Sequence, residues 1–116
     1  MSIKRIEVGP RMSMAVVHNG TAHLAGVVAE NPVPSVEKQT KQILASIDKL
    51  LKQAGTNKSK ILKANIWLSD MRYFAQMNSV WDTWVSKGNA PARATVEAAL
   101  ATPAHWVEIM VVAAVD

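Results

Sequence analysis

Cysteine is absent from the chain. Disulfides, thiolate nucleophiles and cysteine-based metal sites are thereby excluded, and a reducing compartment poses no difficulty. Long apolar runs are absent too. The longest, Ile109–Val115, suits a buried strand and falls far short of a membrane span. The opening Met1-Ser-Ile-Lys-Arg lacks the apolar core of a signal peptide, so a cytoplasmic protein without a membrane partner is expected. There is no Gly-rich phosphate loop, no G-x-S-x-G turn and no H-E-x-x-H pair. The histidines, His18, His23 and His105, lack metal-ligand spacing and read as ordinary surface residues.

What is present is apolar and mildly basic. The 116 residues make one domain, residues 1–116, with 49% hydrophobic and 19% charged residues and a net charge of +4. That is more apolar than a small monomer requires, which points to apolar surface buried between subunits. The basic balance comes largely from lysines between Lys38 and Lys63. RNA recognition usually adds stacking aromatics and bidentate arginines, and the Lys38, Lys41, Lys49 and Lys52 stripe carries neither. A solvated face is the preferred reading, and no nucleic-acid partner is expected.

Periodicity sets the element order. Ile3–Val8 alternates as a first strand. Met14–His18 and Ala22–Ala25 flank Asn19-Gly20, a pair that supplies the positive φ angles of a type I′ hairpin turn. Gly26 ends the hairpin, and Glu30–Pro34 reads as a loop. From Ser35 to Ala54 runs the clearest helix, with Val36, Ile43, Ile47, Leu50, Leu51 and Ala54 on one stripe, Ser35 as N-cap and Gly55 just past the end. A strand over Ala64–Leu68 follows the turn at Thr56–Lys60. Ser69 or Asp70 then caps a second helix ending at Gly88, with Met71, Phe74, Met77, Trp81 and Val85 inward. Two strands, Ala94–Ala98 and Trp106–Val115, close the chain around the loop Ala101–His105. The order is βββαβαββ: an α+β layer pair with two helices on one face of a mixed sheet.

Three polar residues sit where apolar ones belong. Asn78 lies on the apolar face of the second helix, where an unpartnered amide costs about 1–3 kcal/mol. It either meets backbone groups or faces a pocket. Arg93 and Glu108 stand in two of the most apolar, strand-like stretches. A buried arginine cannot shed its charge and needs a partner. Glu108 is one candidate and Glu97, two positions beyond Thr95 on the same strand face, is another. An internal ion pair and an arginine at the lip of a cleft, waiting for a small carboxylate, both fit.

With these residues in view the chain resembles the RidA family of reactive-intermediate deaminases, also called YjgF or RutC-like, over nearly its whole length. "PARATVEAAL" at Pro91–Leu100 resembles the family's PAR-x-x-V-x-x-x-x-L signature, and "VEIMVVAAV" from Val107 its final strand. "HLAGVVAEN" resembles the glycine-bearing turn after the hairpin, and "MNSVWDTW" the second helix. The resemblance implies a chorismate-mutase-like fold, a homotrimer with ligand clefts between subunits, and cofactor-free hydrolysis of enamine or imine acids such as 2-aminoacrylate to 2-oxo acids and ammonia. Carried over by position, Arg93 binds the substrate carboxylate, Glu108 positions water, and Gly26 and Asn78 line the pocket. Ala25 stands where the best-studied branch often has serine, Thr95 where it often has cysteine, and Met12 near where it has a covering aromatic. These departures imply a sister branch. Other classes of function stay open: an RNA-binding, endoribonuclease-like translation inhibitor, or a non-catalytic sensor of small carboxylates.

Overall fold

The computed structural model describes residues 2–116. Its smallest dimension, 20 Å, leaves room for two layers, a helical one upon a sheet. The strands are β1 (Lys4–Val8), β2 (Ser13–His18), β3 (Thr21–Leu24), β4 (Val27–Val28), β5 (Ile61–Leu68), β6 (Ala92–Glu97) and β7 (Val107–Ala114); the helices are α1 (Val36–Gln53) and α2 (Phe74–Trp84). In space the strands run β1-β2-β3-β7-β5-β6, with β4 beside β7 beyond the end of β3. Among the described residues only β5 and β6 pair in parallel. Both β3 and β5 run antiparallel to β7. They therefore run the same way as each other, and each helix is a crossover between strands of like direction. That puts both helices on one face.

Local chemistry explains each element. Ser35 Oγ accepts from the Lys38 N–H at 3.2 Å and starts α1, and Gly55 at φ 84° ends it. The I′ turn forms as expected, with φ 51° at Asn19 and 73° at Gly20. The apolar stripe of α1 is buried throughout and packs on Val107, Ile109, Val111 and Ala113, the alternate residues of β7. The other β7 face carries Glu108, Met110 and Val112, and no helix covers it.

Several expectations are corrected. The short strand β4 follows Gly26 directly; two residues leave no alternation to read. The second helix is shorter than Asp70–Gly88. Asp70 caps a single 3₁₀ turn at Met71–Tyr73, and the α-helix ends at Trp84 because Val85 turns to extended angles. Met71 and Phe74, read as inward, are 40% and 38% exposed, since that first turn overhangs the core. The Asp70 carboxylate accepts from the Arg72 guanidinium, which holds Asp70 below the usual carboxylate range and raises Arg72. No helix among the described residues is long and apolar enough to cross a membrane.

Candidate active site

Strand β6 is an edge strand, and its parallel register with β5 decides where Arg93 points. Arg93 pairs with Ala64, which is buried beneath the helices, so the guanidinium leaves the sheet on the helical side. There Arg93 Nη1 donates to Asn78 Oδ1 at 2.8 Å. The guanidinium carbon lies 5.4 Å from the Trp81 ring centroid and 5.8 Å from that of Phe74. One turn of α2 therefore supplies a polar clamp from Asn78, and aromatic rings on either side of it flank the cation. This resolves the odd position of Asn78: its partner is a side chain, not backbone.

Neither expected ion pair exists. Glu97 accepts instead from the Met71 N–H at 3.0 Å and fixes the turn before α2. Glu108 sits on the other side of the sheet. It pairs across the ladder with Trp67, three residues along β5 from Ala64, and so leaves the face opposite Arg93. Among the described residues the ion pairs are Lys60 with Asp116 and Arg72 with Asp70. Arg93 is thus a half-buried cation with no anion, and Glu108 a half-buried carboxylate with no cation. Each could meet a ligand; within one chain they cannot meet the same one.

Gly26 and Glu108 do come together. A Cβ built on Gly26 would overlap the Glu108 carboxylate and lie 3.1 Å from its Cδ. The absent side chain is what gives the carboxylate its seat. Val28 on β4 and Trp67 on β5 flank Glu108 across the ladder. Ala25 ties the turn down through its N–H to the Met14 carbonyl at 2.9 Å. Thr95 faces the same side as Arg93, and its Oγ1 is buried without a hydrogen-bond partner among the described residues. A cavity of about 540 Å³ reaches Gly26, Met12 and Met14.

Two supporting residues escaped the sequence reading. Gln39 is fully buried. Its Nε2 donates to the carbonyls of Val33 at 2.9 Å and Ala104 at 3.0 Å, and its Oε1 accepts from the Trp106 N–H at 2.9 Å. It therefore joins the segment after β4 to the entry of β7, two residues before Glu108. The available signal was a glutamine three residues after Val36 and four before Ile43, within the apolar stripe. His105 is no ordinary surface histidine. Its Nε2 meets the Ala29 carbonyl at 3.1 Å and its Nδ1 the Thr102 hydroxyl at 2.6 Å, a second tie between the same two segments.

Comparison with known proteins places this geometry. The profile of a family described as Endoribonuclease L-PSP matches residues 2–115. A RutC family protein of Haemophilus influenzae is 49% identical over 115 residues, covering 97% of this chain and 98% of that one. The crystal structure of a YjgF family member from Neisseria meningitidis superposes with a TM-score of 0.97 at 45% identity, covering 100% of this chain and 97% of that chain. More distant is the 2-iminobutanoate/2-iminopropanoate deaminase of Rattus norvegicus, 30% identical over 107 residues, 87% of this chain and 77% of that protein. An α+β layer pair with the "PARATVEAAL" strand beside a closing "VEIMVVAAV" strand, matched end to end by such relatives, identifies the chain as a member of the Endoribonuclease L-PSP family, the group also named RutC or YjgF.

Proposed function

We propose that this protein hydrolyses 2-imino and enamine acids of the 2-aminoacrylate type to 2-oxo acids and ammonia. The observation that carries the reading is the half-buried Arg93 guanidinium, held by Asn78 and in no ion pair among the described residues. With one N–H given to Asn78, its remaining donors suit the two oxygens of a small carboxylate, a match that an ammonium cannot reproduce. A relative named as an imine deaminase adds support.

The chemistry needs little acid–base power. A protonated imine beside a carboxylate is already electrophilic. Arg93 binds the carboxylate and withdraws charge from the adjacent carbon. Glu108 accepts a proton from water as the water oxygen bonds to that carbon, giving a carbinolamine. Glu108 returns that proton to the nitrogen. The C–N bonding pair then leaves with ammonia while the O–H pair of the carbinolamine closes the carbonyl. The hydroxyl proton passes to Glu108 and on to the departing ammonia, so that the 2-oxo acid and ammonium leave. Orientation of the two reactants contributes several kcal/mol and one positioned base about 10²–10⁴-fold.

Because Arg93 and Glu108 leave opposite faces of the sheet, the reading requires two copies of the chain: Arg93 of one and Glu108 of a neighbour around a shared cleft. A homotrimer with the open sheet faces turned inward meets that need. The half-buried Val16, Trp67, Met110 and Val112 on that face, with no helix above them, favour such burial.

An amino-acid oxidase generating 2-iminobutanoate in the presence of semicarbazide tests the proposal. The protein should divert imine from the trap to 2-oxobutanoate. Arg93→Lys should lower that rate at least about 10²-fold despite keeping the charge. Trapping at the rate seen without protein would contradict the proposal.

A further inference from the structure

We infer that the cavity beside Gly26 receives the substrate's side chain, and that imino acids with apolar side chains of several carbons are preferred to those bearing a methyl group. The inference rests on the function proposed above and adds the substrate class.

Its starting point is the loss of one strand partner. β3 lies between β2, which it pairs with as far as Leu24, and β7; from Val27 the chain, as β4, pairs with β7 alone. The start of β2 has no strand opposite β4, and a cavity of about 540 Å³ opens there. That volume lies within the ~300–1,000 Å³ of small-molecule sites. Met12, Met14, Val27 and Val28 line it on the strand side, and Ser46 and Leu50 line it from α1. Glu7, Glu30 and Lys49 line it as well. Glu7 Oε2 is engaged by the Gln53 amide at 2.8 Å, and Glu30 and Lys49 are exposed.

The cavity adjoins the reaction site through two residues. Gly26 is both part of its wall and the seat of the Glu108 carboxylate. Val28 is both part of its wall and the ladder neighbour of Glu108. An imine carbon is planar, and water held by Glu108 approaches it from above or below that plane. The carboxylate is taken by an arginine and the nitrogen must be free to leave. The third substituent, the side chain, then extends along the wall that begins at Gly26. A methyl group is about the size of one water, roughly 30 Å³, and leaves such a space nearly empty. A butyl or thioether chain gains apolar contact with each added carbon, about fourfold in kcat/KM per buried methylene. Two methionines suit branched and unbranched chains alike, because the thioether bends to either.

The test uses the full-length protein and imines made in place by an amino-acid oxidase from alanine, 2-aminobutyrate, leucine and methionine. The expected result is a kcat/KM at least about tenfold higher for the leucine- and methionine-derived imines than for the alanine-derived one. Ser46→Phe, which puts a ring into the cavity from α1, should lower that ratio about tenfold; the milder Ser46→Leu, checked by its thermal transition, covers a folding failure of the first. Turnover of the alanine imine without preference for the larger ones overturns the side-chain pocket and leaves the proposed function standing. A ratio unmoved in both Ser46 variants does the same. No turnover of any imine overturns both.

Discussion

The Glu108 carboxylate occupies the space that a side chain on residue 26 would fill, so Gly26, just before β4, and Glu108 of β7 form one device. The backbone at Gly26 lies outside the left-handed region, so alanine meets no torsional obstacle there. Gly26→Ala should therefore fold and push Glu108 from its seat. Expected is a fall of about 10²-fold in kcat with the affinity for 2-oxobutanoate, set by Arg93, nearly unchanged. Stopped assays and calorimetry on the same preparation check this.

Asn78 orients Arg93 without neutralising it. Asn78→Ala should weaken 2-oxobutanoate binding roughly tenfold by freeing the guanidinium to reorient. Asn78→Asp should weaken it further, because an aspartate would occupy the cation as an internal carboxylate. Binding isotherms of both variants at neutral pH give the order; tighter binding by the aspartate variant would contradict the assignment.

Gln39 closes three backbone hydrogen bonds with one amide. Gln39→Leu leaves two carbonyls and an N–H to find other partners. It should cost about 3 kcal/mol and lower Tm by roughly 10 °C. Urea and thermal unfolding measure both.

Thr95 holds a buried hydroxyl with no partner among the described residues. Thr95→Val removes a polar group that the fold does not satisfy and should raise stability by about 1 kcal/mol. The same variant reports on the ligand: an increase in the Kd for 2-oxobutanoate would mean that this hydroxyl turns to the bound acid.

Much of this was legible in the residues. The stripe of α1, the Asn19-Gly20 turn and the apolar alternation of β7 follow from local periods of 3.6 and 2, which sequence displays directly. Arg93, Asn78 and Glu108 stood out because charge or amide on an apolar stretch demands a reason. What periodicity cannot carry is the side of the sheet. Sequence spacing alone allows Arg93 and Glu108 to pair, and only the registers Arg93 with Ala64 and Trp67 with Glu108 send them apart. Gln39, His105 and the two-residue β4 were missed for a related reason: their partners lie far along the chain, as with Gln39 and Trp106.

The central claim is that one ligand is shared by Arg93 of one copy and Glu108 of another. Co-expressing Arg93→Ala with Glu108→Gln, each inactive alone, tests it most directly. In a randomly mixed assembly about one quarter of the clefts would unite an intact Arg93 with an intact Glu108. Imine hydrolysis recovering toward about one quarter of the wild-type rate is the expected result. Mixed assemblies verified by native mass spectrometry that stay as inactive as either parent would contradict the account.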